Sequence, residues 1–338
     1  MLGTQTNRYR YFDMGDNKID TKTLTIPHTE LQKRNFVLTP LVALEPRLRP
    51  PGAIGETLLE SSRKLRTHIP LWMGIINVTP DSFSDGGQFF VKEQALRHAR
   101  SMIDDGADWI DIGGESSGPR STNTDPDEEL SRVIPVIKGI RGESNIWLSI
   151  DTWKSRVAKE AVAAGADCIN DTTALRGDAV MAHTVSELGC ALVLMHAKDD
   201  SSRTTVRQVE YDNVMHTLRN FFRERLDFAE STGITQESIL LDPGMGYFIS
   251  SNPEYSFEIV RRIPELGELG FPLLFGPSRK SFLAEVSQGS PLGPGQRDFP
   301  CAAVSSIAVW QGVRVLRMHE VVQGRQILDT LMHIGIPQ

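Results

Sequence analysis

The sequence predicts an α/β protein: a (β/α)8 TIM barrel with a short N-terminal extension. Three observations lead there. From Leu71 onward a short β-rich run recurs eight times, each followed by a polar loop and a helical pattern. The runs are almost continuously apolar, as strands must be when a parallel sheet is covered on both faces. Several helical stretches stop at a glycine just before the next strand, which suits a C-terminal cap. Eight regular units match a closed barrel; an open doubly wound sheet is the rival, but it rarely needs so many.

In order, the strand runs are LWMGIIN, DWIDIG, IWLSID, DCIND, CALVLM, SILLD, PLLFG and VRVLRMH. Helical patterns between and after them include QALRHARSMIDDG, EELSRVIPVIKGI, RVAKEAVAAG and VVQGRQILDTLMHI, with Gly106, Gly165 and Gly189 as the stops. Residues 1–52 differ in character: they are polar at first and end in a Pro-Pro-Gly break, a natural boundary. Residues 53–70 read as a linker helix, strongest over 56–66, and residues 71–338 as the barrel.

Composition narrows the class. Of 338 residues, 40% are hydrophobic and 23% charged, ordinary for a soluble globular protein with a sizeable core. A formal charge of −7 argues against a general nucleic-acid binder. The N-terminus has no apolar signal region, and no apolar run reaches the roughly 18 residues a membrane helix needs. The expectation is a cytoplasmic protein that engages neither nucleic acid nor membrane. Cys168, Cys190 and Cys301 sit in apolar runs without ligand spacing, so they read as packing thiols in a reducing compartment.

The polar residues gather at one place on this scheme. Asn77, Asp111, Asp151, Asn170, Asp171, Asp242 and His319 each fall at, or directly after, the C-terminal end of a predicted strand. That rim carries the active site in such barrels. Any one of them could simply cap the next helix; together they supply more acid and amide than capping requires.

The loops add chemistry. NVTPDSFSDGG (77–87) is rich in turn residues and hydroxyls, fit to close over a phosphorylated substrate. IDIGGESSGPRST (110–122) allows close backbone approach at Gly113-Gly114 and supplies hydroxyls and Arg120. SIDTWKS (149–155), INDTTAL (169–175), LLDPGMGYF (240–248) and FGPSRKSFL (275–283) follow. In the last of these, Ser278-Arg279-Lys280 is expected to enter a helix whose free N–H groups favour an anion. Arg317 and His319 are alternate residues, so they share a face and could clamp a diphosphate.

These stretches, with RMHEV at 317–321, in this order and spacing, resemble the dihydropteroate synthase family over residues 71–338. The resemblance implies a transferase of folate biosynthesis. It would join 6-hydroxymethyl-7,8-dihydropterin diphosphate to para-aminobenzoate and release diphosphate, with Mg2+ on the diphosphate. It implies a pterin cradle of Asp151, Asn170, Met195, Asp242 and Lys280. Asn77 (with the metal), Arg317 and His319 would hold the diphosphate. The arylamine would lie among Thr79, Asp81, Phe83, Ser117, Pro119, Tyr247 and Ser278. Asn77, Asp151, Lys280, Arg317 and His319 are the implied catalytic set. The family further implies a homodimer, formed through the last two helices, and a sulfonamide target. The alternative use of the buried charges is an internal Asp151–Lys280 or Asp242–Lys280 ion pair.

The chain departs from the family in two loops. Where the pattern has Ser-Thr-Arg-Pro, this chain has Ser116-Ser117-Gly118-Pro119, with Arg120 placed to substitute for the missing arginine. Where the pattern has Gly-Phe-Gly-Lys, it has Gly246-Tyr247-Phe248-Ile249. Residues 24–41 resemble the C-terminal part of hydroxymethyldihydropterin pyrophosphokinase. That enzyme's magnesium-binding acids are replaced here by Asn7 and Tyr9, so no kinase activity is expected. Two rival readings remain: a corrinoid-dependent pterin methyltransferase, which has no use for the NVTPDSFSDGG loop, and a non-catalytic pterin-binding homologue, which would bind without turnover.

Overall fold

A computed structural model describes residues 70–79, 87–286 and 289–335, with two short strands upstream. Its contacts divide the chain into two units, residues 1–69 and residues 70–337. In the first, Ile19–Asp20 pairs antiparallel with Thr25–Ile26. Of the kinase-like segment 24–41 only Thr25–Ile26 is described; Asn7, Tyr9, the linker helix at 56–66, and loop residues Asp81 and Phe83 lie outside the described residues.

The second unit is the expected barrel. Its parallel strands are β1 (Leu71–Asn77), β2 (Trp109–Gly113), β3 (Trp147–Asp151), β4 (Cys168–Asp171), β5 (Ala191–Met195), β6 (Ile239–Asp242), β7 (Leu274–Phe275) and β8 (Val315–Met318). They pair in the order β6-β5-β4-β3-β2-β1-β8-β7. The last seam is slender: Leu241 bridges Leu273 in parallel, and the Leu241 N–H donates to the Pro272 carbonyl at 3.0 Å. The helices between them are α1 (Gly87–Asp104), α2 (Pro126–Glu143), α3 (Ser155–Ala164), α4 (Met181–Leu188), α5 (Val214–Ser231), α6 (Pro253–Arg261), the short α7 (Ile263–Gly267), α8 (Asp298–Trp310) and α9 (Val321–Ile334).

Local signals set the helix ends. Asp125 caps α2 by accepting the Asp127 N–H, with Pro126 at the first helical position, and Asn213 caps α5 through His216 N–H. Gly165 and Gly189 end α3 and α4 in the left-handed conformation, at φ 119° and 62°.

Two apolar layers result. Outward side chains pack on the helices: Trp72 of β1 lies against α9 at Gly324, where any Cβ would overlap the indole. Inward side chains Met73, Trp109, Cys168, Val193, Leu274 and Val315 form one buried cluster that plugs the barrel. Strand alternation puts every second residue on the same face. The residues two steps beyond this plug are therefore Ile75, Asp111, Asn170, Met195, Gly276 and Arg317. The barrel turns from oil to charge within one layer, at the strands' C-terminal end.

Candidate functional site

The core of the site is a charge cluster across β2, β3, β4 and β8. The Arg317 guanidinium donates from Nε to Asp111 Oδ2 at 2.6 Å and from Nη2 to Asp151 Oδ2 at 2.7 Å. Asp111, fully buried, also accepts the Ser149 hydroxyl and, at 3.2 Å, the Asn170 Nδ2 amide. Burial pushes the Asp151 carboxyl up to about 7, with Arg317 opposing and nearby Asp111 adding to the rise. The Arg317 guanidinium stays charged, held above its ordinary range by the two carboxylates despite its burial.

Around this cluster, three polar groups are left unanswered. Asn170 Oδ1 is buried without a hydrogen-bond partner. Asp242, 5% exposed, accepts the Gly244 N–H on Oδ1 at 2.8 Å, and among the described residues its other oxygen accepts nothing. Burial lifts its pKa to about 6. Lys280 forms no ion pair among the described residues; its ammonium lies 4.3 Å from the centre of the Phe248 ring. Burial and Arg317 push its pKa down to about 8, against the pull of Asp242 and Asp151. The internal Asp151–Lys280 or Asp242–Lys280 pair is therefore not what forms: Arg317 takes Asp151, because both stand on strands of one layer. Met195 adds an apolar wall with Ala197 and Phe248.

Asn77 ends β1 with its side chain exposed. Gly113 keeps open the space between Asn77 and Asp151: a Cβ there would lie 3.6 Å from Asn77 Oδ1 and 3.6 Å from Asp151 Cβ. Ser278 and His319 meet, with Oγ 2.9 Å from Nδ1, while the His319 backbone N–H approaches the same hydroxyl at 3.3 Å. A hydroxyl that accepts the N–H and donates to Nδ1 fixes the ring's proton on Nε2. Burial, with Arg279, Arg317 and Lys280 nearby, drives the imidazole's pKa down to about 3, so it is neutral.

Other expectations are corrected. Ser278-Arg279-Lys280 does not enter an α-helix: Arg279 is left-handed at φ 58°, and a six-residue 3-10 helix, Ser281–Val286, follows. A left-handed residue cannot continue a right-handed turn, so Arg279 stops an α-helix from starting at Ser278. Asp171 is a turn residue, its carboxylate satisfied by Thr173 N–H, Thr173 Oγ1 and Leu175 N–H. Asp111 and Ser149 were legible as inward residues above Trp109 and Trp147, yet nothing in the pattern told that Asp111 would be the hub. Ser117 and Tyr247 are half-buried, Thr79 is half-buried, and Pro119 and Arg120 are exposed.

Residues 73–319 match the family model described as pterin binding enzyme. The dihydropteroate synthase of Synechocystis sp. is 37% identical over 278 residues, 82% of this chain and 93% of that protein. The Clostridium difficile dihydropteroate synthase, solved in the presence of pteroic acid, superposes with a TM-score of 0.74 at 39% identity, covering 80% of this chain and 98% of that one. The Xanthomonas albilineans enzyme, solved with 4-aminobenzoic acid, gives 0.73 at 39% identity, covering 80% and 94%. The chain belongs to the pterin-binding enzyme family, in its dihydropteroate synthase branch.

Proposed function

We propose that this dihydropteroate synthase holds the aminopyrimidine edge of a dihydropterin diphosphate on Asp242, Asn170 and Lys280, with Asp151 on the far side of the ring and Met195 against it. The observation that carries this is a set of three groups with no hydrogen-bond or ion-pair partner among the described residues: the fully enclosed Asn170 Oδ1, the second oxygen of Asp242, and the ammonium of half-buried Lys280. Buried polar groups are almost always satisfied, so the orphaned Asn170 oxygen calls for a ligand, and the open Asp242 oxygen and Lys280 ammonium supply further contacts for it. Two acceptors beside one cationic donor complement adjacent N–H groups and a carbonyl.

The reaction follows a dissociative course. The pterin CH2–O bond breaks, the bonding pair leaves with the diphosphate, and the electron-rich ring stabilises the cation. The para-aminobenzoate nitrogen then forms the new C–N bond and loses a proton. The protein's part is positioning and stabilising the leaving group. Arg317 has N–H donors beyond the two spent on Asp111 and Asp151, and neutral His319 offers Nε2–H to phosphate oxygen. Asn77 would hold Mg2+ through its side-chain oxygen, and the ion, when bound, neutralises charge on the diphosphate. A single amide oxygen suits an ion that arrives already bound to the phosphates of its substrate. The arylamine lies between the loops of Ser117 and Tyr247, near Thr79, Pro119 and Ser278; Gly118 and the Tyr247-Phe248-Ile249 run reshape that subsite.

The chain works as a homodimer in the cytoplasm, where its three thiols stay reduced. Helices α8 and α9 expose Phe299, Ile307, Trp310, Val322, Met332 and Ile334, an apolar face fit for a second copy. Among the described residues no helix is long and apolar enough to cross a membrane. Sedimentation of the parent and of Ile307→Asp tests the dimer; a monomeric parent overturns it. Pteroate formation by purified protein, against Asp242→Ala and Lys280→Ala, tests the site. Each variant should lose about a hundredfold in kcat/KM for the pterin substrate; unimpaired variants would refute the cradle.

A further inference from the structure

We propose that Lys198 and Thr204, in the segment after β5, are positioning residues for the arylamine: they strap the loop after β2 to the loop after β6. The inference rests on the reading that the arylamine lies between Ser117 and Tyr247.

One buried residue touches both loops. The Thr204 N–H donates to the Ser117 carbonyl at 3.2 Å, and its hydroxyl donates to the Tyr247 carbonyl at 2.6 Å. Among the described residues no hydrogen bond joins the two loops directly, so their separation is set through Thr204. Lys198 locks that contact. Its side chain is 1% exposed, and its ammonium reaches Tyr247 O at 2.6 Å, Thr205 O at 2.8 Å, Asp199 Oδ2 at 2.7 Å and Thr204 Oγ1 at 3.2 Å. With its proton given to Tyr247, the Thr204 hydroxyl is free to accept from the ammonium. The Lys198 backbone N–H donates to Phe248 O at 2.8 Å, and Arg203 stands 3.5 Å from Glu115 at the base of the other loop. Glu115 is itself anchored by Lys154 at 2.7 Å and Trp153 at 3.0 Å.

The strap grips backbone carbonyls of the loop residues themselves rather than the barrel wall. Charge-assisted bonds of this kind are short and directional, and they resist water.

Steady-state diphosphate release by the full chain decides the matter, each substrate varied at saturation of the other. Thr204→Val and Lys198→Met should raise KM for para-aminobenzoate roughly tenfold and leave KM for the pterin diphosphate within about twofold. Thr204→Ser, which keeps the hydroxyl, should match the parent. Equal changes in both KM values, no change in either, or a Ser variant as impaired as Val would overturn the strap. Tyr247→Ala separates the premises. If it raises the arylamine KM while Thr204→Val does not, the strap alone fails. If Tyr247→Ala leaves that KM unchanged, the arylamine placement fails and the strap with it.

Discussion

Arg317 and Asp151 hold each other across the barrel mouth at 2.7 Å, although 166 residues separate them in sequence. With Asp111 on the same guanidinium, they form an ion cluster in the layer directly above the apolar plug. Removing one member strands the others: Arg317→Met should cost about 3 kcal/mol of stability, measured by urea unfolding. The double variant Arg317→Met/Asp151→Leu should recover part of that loss, because the two effects are coupled. Strict additivity would show that the pair carries no interaction.

The pH profile of kcat/KM for the pterin diphosphate should be bell-shaped, since that parameter reports groups of the free enzyme. Asp242 must be ionised to accept N–H donors, so activity falls as pH drops through about 6. Lys280 must be protonated to donate, so activity falls as pH rises through about 8. In Lys280→Gln the alkaline limb should vanish from the residual activity. An unchanged alkaline limb would exclude Lys280 as its source.

Stability of the ligand-free protein should move with pH in a direction set by the same carboxylates. Asp242 and Asp151 titrate near 3.8 when ordinary, but at about 6 and about 7 in the fold. Between those values the folded state holds more protons than the unfolded one. Their contribution is thus complete below pH 3.8 and lost as pH rises through 6 and 7. Lys280 acts at higher pH, where its lowered pKa makes stability climb from about 8 toward 10.5. Melting temperatures of Asp242→Asn across pH 4–8 should show a shallower decline than the parent; an equal slope contradicts this.

Gly244 is a backbone requirement of the pterin cradle. It sits at φ 67°, its N–H binds Asp242, and a Cβ would come within 2.3 Å of the His196 carbonyl. Gly244→Ala should therefore cost about 2 kcal/mol and raise KM for the pterin substrate. Chemical denaturation and kinetics would show both; a silent variant would mean the turn has slack.

Sulfonamide inhibition probes the departed loops. Among the described residues a Cβ at Gly118 would meet only Ser116 Oγ, at 3.4 Å, so Gly118→Arg should fold. With an arginine restored there, or with Tyr247→Phe, the inhibition constant for a sulfonamide that mimics para-aminobenzoate should shift. Unchanged inhibition in both variants would separate these loops from the arylamine subsite.

Much of this was readable from residue order. All eight strands stand where the apolar runs placed them, and Gly165 and Gly189 end their helices as glycines do. Asn77, Asp151, Asn170, Asp242, Lys280, Arg317 and His319 all reach the strands' C-terminal end, because alternation and strand length are local properties that a sequence carries openly. Which charge meets which is not local. Arg317 meets Asp111 and Asp151 from strands far away in the chain, and Asp171 turned inward on its own loop. Thr204 found both Ser117 and Tyr247, with no motif to announce it.

The sequence by itself determined the barrel, its polar rim and the family, since each rests on periodicity, turn chemistry and ordered motifs along the chain. Only the tertiary structure decided the Arg317 ion cluster, the unpartnered Asn170–Asp242–Lys280 set and the Thr204 strap. Those depend on distances between strand ends far apart in sequence, which closure of the barrel fixes and no local rule encodes.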